Sequence, residues 1–432
     1  MTSTRRGPSE GAWHRVVIAG QGYVGLPLAV RAAEVGHQVI GYDVDISRVK
    51  RLAVGESYVE DVPSEQLAQL LESGSYHPSA DEQDLAGFDI AVITVPTGLR
   101  EGMPDLSHIE SASRTLARYL RFGATVVLES TTYPGTTEEL VRPLLEEGSG
   151  LIAGVDFHLG YSPERIDPGN RTWNLTNTPK VVAGIDAAST AVLVDFYGSL
   201  TTTTVPVSAP KVAELAKLVE NTFRHVNIAF VNEIAMYAHE LGIDVWEAID
   251  AASSKPIGFM RFNPGPGVGG HCLPVDPEYL SWRVHRTLGR RFRFIELAAH
   301  INNHMPQYVV QRMLLAFNAC ARSLKGANIL LLGLAYKPNT SDARESPALR
   351  VSELLLELGA HVRAVDPHVL ESVAVDRRLE LVELTAKELA AADMVVILTD
   401  HDVFDYDLVT EHSRHVLDCR RRLAPAEHVD VL

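Results

Sequence analysis

The sequence predicts an α/β protein of two Rossmann-like, doubly wound domains joined by a long central helical region. Three observations carry this. "RVVIAG" (15–20), a glycine-rich turn with a helical pattern, and "HQVIGYDVD" read as strand, helix and strand with short connections, a unit that builds parallel sheet. The same succession returns after residue 327. Between the two, residues 207–252 carry apolar side chains every three or four positions. At 432 residues the chain also exceeds one ordinary core.

The first strand is a short β-branched run, followed by "QGYVGLPLAVRAAEVG" with helical spacing and a stop at Gly36. Further strands are expected within 88–96 ("FDIAVITVP"), 124–130 ("ATVVLES") and 181–186 ("VVAGID"). This first domain spans 14–205. The segment from Ser208 is long enough for one extended helix or a helix pair, with Ser208 as its cap. It opens a central helical domain, 206–318, whose amphipathic helix serves either as a dimer seam or as a buried strut. The last domain, 319–432, repeats the first: "ANILLLGLAYKP" is a strand, "SPALRVSELLLELG" a helix, and "AHVRAVDP" and "ADMVVILTD" are strands. In both domains the second strand ends in aspartate, Asp43 and Asp366.

Net charge is −16, from 39 basic and 55 acidic residues, which argues against binding nucleic acid or anionic membrane through a global field. The three cysteines, Cys272, Cys320 and Cys419, are odd in number and widely spaced, so they form no disulfide framework. No apolar run reaches the ~18 residues of a membrane span, and the N-terminus lacks the apolar core of a signal peptide. A cytoplasmic protein is expected.

"GQGYVG" sets Gly20, Gly22 and Gly25 in the G-x-G-x-x-G spacing. The first glycine allows a tight turn, the second lets a pyrophosphate approach the backbone, and the third lets helix pack on strand. Alone the hexapeptide is weak, but a strand precedes it, a helix follows, and Asp43 ends the next strand. A carboxylate there accepts from the ribose hydroxyls and repels a 2′-phosphate, which favours NAD over NADP as the expected cofactor. Tyr23, Val24, Arg48, Pro96, Thr97 and Thr131 are the further candidate cofactor contacts.

The last domain lacks the three-glycine pattern. Its "GLAYKPNTSDARES" loop offers Lys337 and Arg344, either as a solvated loop or as cations for the phosphates of a second nucleotide-like ligand. The stretch "PGPGVGGHCLPVDP" (264–277) places Cys272 and Asp276 four apart in a loop too rich in glycine and proline for helix or strand. Gly265, Gly267, Gly269 and Gly270 are expected to leave the backbone open to a substrate, with Cys272 as nucleophile. A buried structural cysteine is the bland alternative. A metal site from His271, Cys272 and Asp276 is disfavoured, because adjacent His and Cys chelate poorly.

The motifs "VVIAGQGYVGLPLA", "ESTTYPGT", "YSPER", "KLVENTFRHVNIAFVNE", "GPGVGGHCLPVDP" and "GLAYKPNTSDARES" resemble, in order, the UDP-glucose/GDP-mannose dehydrogenase superfamily of nucleotide-sugar 6-dehydrogenases. The wording "GPGVGGHC" is similar to the branch acting on UDP-N-acetylglucosamine or UDP-N-acetylmannosamine. The resemblance implies oxidation of a sugar C6 hydroxyl to a carboxylate with two NAD+ and one water. It implies Cys272 as nucleophile, Asp276 as acid/base, Lys217 and Asn221 as a pair directed at the C6 oxygen, Glu164 as the hydrolytic carboxylate and Thr131 as the hydroxyl that positions water. Arg165, Lys255, Gly269, Lys337 and Arg344 join Glu164, Lys217 and Asn221 as implied substrate contacts, and a homodimer or higher homo-oligomer is expected. One departure stands out: the UDP-glucose branch has a second glutamate where this chain has Pro168, so the group that assists Glu164 is left open. UDP-glucose oxidation and a catalytically silent NAD-binding protein are the competing readings, and the intact set Cys272, Asp276, Lys217, Asn221 and Glu164 argues against the second. His225 and His300 are expected to be packed or surface residues, Cys320 to lie in a core, and Cys419 has no assignment.

Overall fold

Runs of valine, isoleucine and leucine that bury both faces can only be central strands, and in this protein they form two largely parallel sheets. The computed structural model describes residues 14–166, 170, 172–270, 273–369 and 378–432. The chain divides into two units, 1–220 and 221–432.

The first unit begins with β1 (Arg15–Ala19), α1 (Gly25–Glu34), β2 (Gln38–Tyr42), α2 (Ile46–Ala53), α3 (Ser64–Glu72), β3 (Tyr76–Ser79) and β4 (Ile90–Ile93). A hairpin of β5 (Gly98–Arg100) and β6 (Met103–Asp105) leads to α4 (Ser107–Ala117), β7 (Thr125–Leu128), α5 (Arg142–Ser149) and β8 (His158–Tyr161). The unit closes its sheet with β9 (Lys180–Gly184), α6 (Ala187–Leu200) and β10 (Thr204–Pro206). Sheet order is β10-β9-β8-β7-β4-β1-β2-β3. The order reverses between β1 and β4, so the crevice of a doubly wound sheet opens beside the glycine-rich turn that follows β1.

One pairing departs from the parallel sheet that the sequence pattern predicts. β9 runs antiparallel to β8, with Tyr161 opposite Ala183 and Gly160 opposite Gly184. A parallel return needs a crossover, normally a helix, and no described residue between Ser162 and Pro179 is helical. The chain therefore turns back along the same edge.

α7 (Pro210–Glu240) is one continuous helix of 31 residues rather than a helix pair. Its first intrahelical bonds run to the Ala209 carbonyl, from Val212 N at 3.0 Å and Ala213 N at 3.4 Å, so Ala209 rather than Ser208 occupies the cap position. Gly242, at φ 70°, ends the run as a left-handed residue past the terminus.

The second unit continues with α8 (Val245–Ser253), α9 (Asp276–Leu288) and α10 (Arg293–Ala319). Its sheet is built from β11 (Asn328–Leu332), α11 (Pro347–Glu357), β12 (His361–Val365), β13 (Glu380–Leu381), α12 (Ala386–Ala391), β14 (Met394–Ile397), α13 (Tyr406–His412), β15 (Val416–Asp418) and β16 (Val429–Val431). The order β13-β12-β11-β14-β15-β16 is parallel throughout. Ser346 caps α11 by accepting from Ala348 N. No helix among the described residues is long and apolar enough to cross a membrane.

The two described cysteines reverse one expectation. Cys320 lies past the end of α10 and is exposed, because the "MLLAF" pattern that suggested a core position ends a turn earlier. Cys419 follows β15 in the buried core, and burial pushes its thiol up to about 12. In a Cys272→Ser background, a thiol reagent at neutral pH should therefore modify Cys320 in the native protein and Cys419 only after denaturation. Equal native reactivity of the two would contradict the placement.

Candidate functional site

The loop after β1 has three glycines in three different environments. Gly20 sits at φ +100°, and a Cβ there would lie 2.8 Å from the Thr94 carbonyl oxygen. A Cβ on Gly25 would lie 1.8 Å from the Gly20 carbonyl oxygen, which is how α1 packs so closely on the strand. Around Gly22 a Cβ would meet nothing within 4 Å. Two glycines are thus packing requirements, and the third leaves open space beside the backbone. Asp43, at the end of β2, is buried; its Oδ2 accepts from Gln21 N at 2.8 Å and its Oδ1 from Asp45 N at 2.9 Å. Arg48 on α2 approaches the same carboxylate at 3.5 Å. Tyr23 is exposed and Val24 caps α1. Pro96 is exposed and Thr97 buried in the segment after β4, which Ser130 ties down by donating to Val95 O at 2.8 Å. An open glycine, a strand-end carboxylate and a helix N-terminus at the switch point fit NAD.

Thr131 is half-buried just beyond β7. Glu164 is buried beyond β8 and accepts from the backbone of Ile166. A group of buried ionisable residues that the sequence did not single out lies beside them. Lys180, at the start of β9, contacts Glu129 at the end of β7, donates to Pro163 O at 3.1 Å and stands 3.9 Å from Glu164 Oε2. Tyr197 on α6 donates to Glu129 Oε2 at 2.7 Å. The available signal was charge at the end of an otherwise apolar strand, in "VVLES" and "PKVVAG". Arg165 is not free for a ligand: it donates to Pro179 O at 2.6 Å and pairs with Glu220 on α7 at 2.7 Å.

α7 buries a polar face. Glu214 accepts from Gly135 N at 2.5 Å, Thr137 N at 2.9 Å and Thr137 Oγ1 at 2.7 Å, fixing the "TYPGT" turn to the helix. Burial pushes this carboxyl up, against the pull of those donors. Lys217, one turn on, is buried and has no ion pair among the described residues. Asn221 follows on the same side of the helix at (i, i+4). Its Nδ2 donates to Asp276 Oδ2 at 2.5 Å, with both side chains buried. Asp276 is the first residue of α9. His225 is packed as expected, and burial lowers it to about 4.

Cys272 and its neighbour His271 lie outside the described residues, as do Asp167 and Pro168. The loop leading to the cysteine is described, and it corrects one expectation. The missing Cβ atoms of its glycines face protein rather than open space. At Gly265 a Cβ would lie 2.8 Å from Arg420 Nη1, at Gly267 3.1 Å from Asn302 O, at Gly269 2.7 Å from Glu345 O, and at Gly270 2.8 Å from the Tyr336 ring. The loop is threaded between side chains, and the glycines let it fit. Asn232 on α7 holds it by accepting from Gly265 N at 3.0 Å while donating to Asn302 Oδ1 at 3.0 Å.

In the second sheet, Lys337 stacks over the Tyr336 ring at 5.9 Å, and Arg344 is exposed in a two-bond pair with Asp342 at 2.9 and 2.7 Å. Lys255 is exposed just past α8. Asp366, like Asp43, holds the loop after the first strand of its sheet, accepting from Leu334 N at 2.7 Å and Ala335 N at 2.9 Å. His401 Nδ1 accepts from Asn339 N, which leaves Nε2 to donate to Asp366 Oδ2 at 3.0 Å. Burial opposes ionisation of Asp366, yet these donors hold its carboxyl at about 2. Arg420 is a cation that the sequence did not single out; it is anchored by donation to Leu398 O at 2.7 Å and borders the glycine loop.

Residues 14–201 match the NAD binding domain of the UDP-glucose/GDP-mannose dehydrogenase family, 211–304 its central domain and 330–425 its UDP binding domain. The chain is 36% identical over 405 residues to a UDP-N-acetyl-D-mannosamine dehydrogenase of Pyrococcus horikoshii, covering 93% of each. It is 35% identical over 418 residues to a UDP-N-acetyl-D-glucosamine 6-dehydrogenase of Pseudomonas aeruginosa, covering 96% and 95%. Among solved structures, a UDP-glucose dehydrogenase of Pyrobaculum islandicum superposes with a TM-score of 0.88 at 31% identity, over 99% of this chain and 98% of that one.

The glycine geometry separates two substitutions. Gly22→Ala should leave thermal stability near that of the parent and weaken NAD binding at least ~10-fold, by filling the space the ligand backbone contact needs. Gly25→Ala should cost about 3 kcal/mol of stability through overpacking against backbone. Calorimetry with an NAD titration checks both, and equal loss of stability in the two variants would refute the distinction.

Proposed function

The chain belongs to the UDP-glucose/GDP-mannose dehydrogenase family of NAD-dependent nucleotide-sugar oxidoreductases, and we propose that it oxidises the C6 hydroxyl of a UDP-N-acetylhexosamine to the carboxylate. The observation that carries the mechanism is the buried Asn221–Asp276 hydrogen bond, which fixes an acid/base carboxylate four residues from Cys272. Residues 14–205 take NAD, 206–318 supply the catalytic loop and α7, and 319–432 receive the nucleotide sugar. Bound NAD supplies the hydride acceptor for each of the two oxidation stages.

The residues divide the work by chemistry. Asp276 takes the hydroxyl proton, while the Lys217 ammonium and Asn221 amide stabilise charge on the C6 oxygen. The Cys272 sulfur bonds to the aldehyde carbon, and loss of the second hydride leaves a thioester. Glu164 then takes a proton from a water aligned by Thr131. The water oxygen bonds to the acyl carbon, the C–S bond breaks, and the cysteine departs as thiolate. Lys255, Gly269, Lys337 and Arg344 stand as substrate contacts, and Arg344 must exchange Asp342 for a phosphate to serve as one. The wide cysteine spacing fits the reducing cytoplasm.

The N-acetyl branch is supported by the wording around Cys272 and by the names of the relatives at 36% and 35% identity. UDP-glucose is the second reading, favoured by the likeness to the Pyrobaculum islandicum enzyme. NADH production measured in parallel with UDP-N-acetylglucosamine, UDP-N-acetylmannosamine, UDP-glucose and GDP-mannose decides between them; a preference for UDP-glucose rejects the N-acetyl assignment. Cys272→Ser should bind NAD and substrate but turn over at least ~10²-fold more slowly, and near-normal NADH production by it would refute the thioester route.

A homodimer through α7 is part of the same reading. Val219, Phe223, Phe230, Ile234, Tyr237 and Leu241 fall within roughly 60° of one another around the helix, and all are exposed, with Phe230 at 55% and Leu241 at 72%. An uncharged apolar stripe is complementary to its own two-fold copy. Sedimentation should give a dimer or higher assembly for the parent and a monomer for Phe230→Glu; a monomeric parent would exclude this seam.

A further inference from the structure

We propose that Lys180 is the positioning residue of Glu164, held in place by a buried relay running from Tyr197 through Glu129. The inference rests on the hydrolytic role given above to Glu164 and adds the group that aims that carboxylate.

The backbone dictates the placement. Because β9 is antiparallel to β8, its first residue lies at the carboxyl edge of the sheet, beside the end of β8. Continuing the observed register from Tyr161 and Ala183 by three residues sets Lys180 opposite Glu164. A parallel β9 would have put its last residue there instead. Lys180 grips this segment twice, by donation to Pro163 O at 3.1 Å and by its 3.9 Å approach to Glu164 Oε2. Arg165 secures the other side by donating to Pro179 O, the residue before Lys180.

Burial of this group is costly unless it serves the site. Glu129 is fully buried, and Lys180 is 4% exposed. Desolvating such ions is unfavourable, and replacing a buried pair by apolar side chains is often neutral or stabilising. Glu129 meets donors on both oxygens, the Lys180 ammonium on Oε1 and the Tyr197 phenol on Oε2, so both oxygens act as acceptors; burial pushes this carboxyl up, and the Lys180 ammonium pulls against it. Burial first, and Glu129 second, push the Tyr197 phenol far above its usual range, which keeps it a donor. The Lys180 ammonium also lies over the Tyr197 ring at 5.1 Å.

The result is one ammonium shared between two carboxylates. Glu129 faces it from β7 and Tyr197 from α6, while Glu164 takes the remaining side. Arg165 is satisfied by Glu220 on α7, and Lys217 of that helix has no ion pair among the described residues. A nearby positive charge favours the charged form of a carboxylate and orients it. Lys180 supplies that charge from within the sheet, independently of the position that Pro168 fills in the chain.

The test measures how fast the acyl-enzyme decays as a function of pH. Parent and variants are mixed with NAD+ and the best sugar of the four-substrate panel, quenched, and read by intact mass. Lys180→Met should slow decay at pH 7 by ~10-fold or more and move the acid limb up, since Glu164 loses its cation. Glu129→Gln should move the limb down, since the ammonium then acts on Glu164 alone. A packing role would not give opposite signs. An unchanged limb in Lys180→Met, or a limb in Glu129→Gln that stays or rises, overturns the inference, and the second arm decides if Lys180→Met does not fold. Glu164→Gln separates the premise: if its acyl-enzyme decays at the parental rate, the hydrolytic role itself fails, whereas slowed decay there with a normal Lys180→Met defeats this inference alone.

Discussion

A helix that buries a row of polar side chains sets the terms for this protein. On α7, Glu214, Lys217, Asn221, His225 and Asn232 are all buried, while Phe230, Tyr237 and Leu241 stand out in solvent. Leu218, Ala229, Val231 and Ala235 are buried as well, so the covered side of the helix carries polar and apolar groups together. Each buried group has to be met or used: Glu214 fixes the turn after Thr131, Asn221 fixes Asp276, and Asn232 fixes the loop before Cys272. The helix holds each of these segments by hydrogen bonds, each of which costs more to break when buried than it contributes when made.

The same economy of placement governs the edge of the first sheet. A single antiparallel strand brings Lys180 to the carboxyl edge, where doubly wound folds keep their chemistry. Among the described residues the second sheet pairs in parallel throughout, and its carboxyl edge carries Asp366, tied to the β11 loop and His401, and Asp418, which holds the loop after β15. Two sheets of related strand order thus use aspartates alike to hold the first loop, and differ in what the far strands deliver.

The sequence was most legible where one residue type has one physical use. Gly25 must be glycine because a side chain would overlap backbone, and the spacing predicted this. The strands "RVVIA" and "NILLL" were legible because only a central strand buries such a run on both faces. Legibility failed where chain direction mattered. Nothing local in "KVVAG" says that β9 runs antiparallel, so nothing marked Lys180 for the carboxyl edge. It failed again at the glycines before Cys272, whose small size suits a ligand and a neighbouring side chain equally well.

By itself the sequence determined the two sheets, the helical pattern between them and the nucleotide loop, and it proposed the reactive side chains, because periodicity, glycine spacing and residue chemistry are local properties. Only the tertiary structure decided which of those side chains are already engaged. Arg165 and Arg344 are paired, Lys217 has no ion pair among the described residues, and Glu129, Lys180 and Tyr197 form one buried unit. The reason is that charge pairing depends on distances set by strand direction and helix face, and residues 51 and 68 positions apart in the chain carry no mark of meeting.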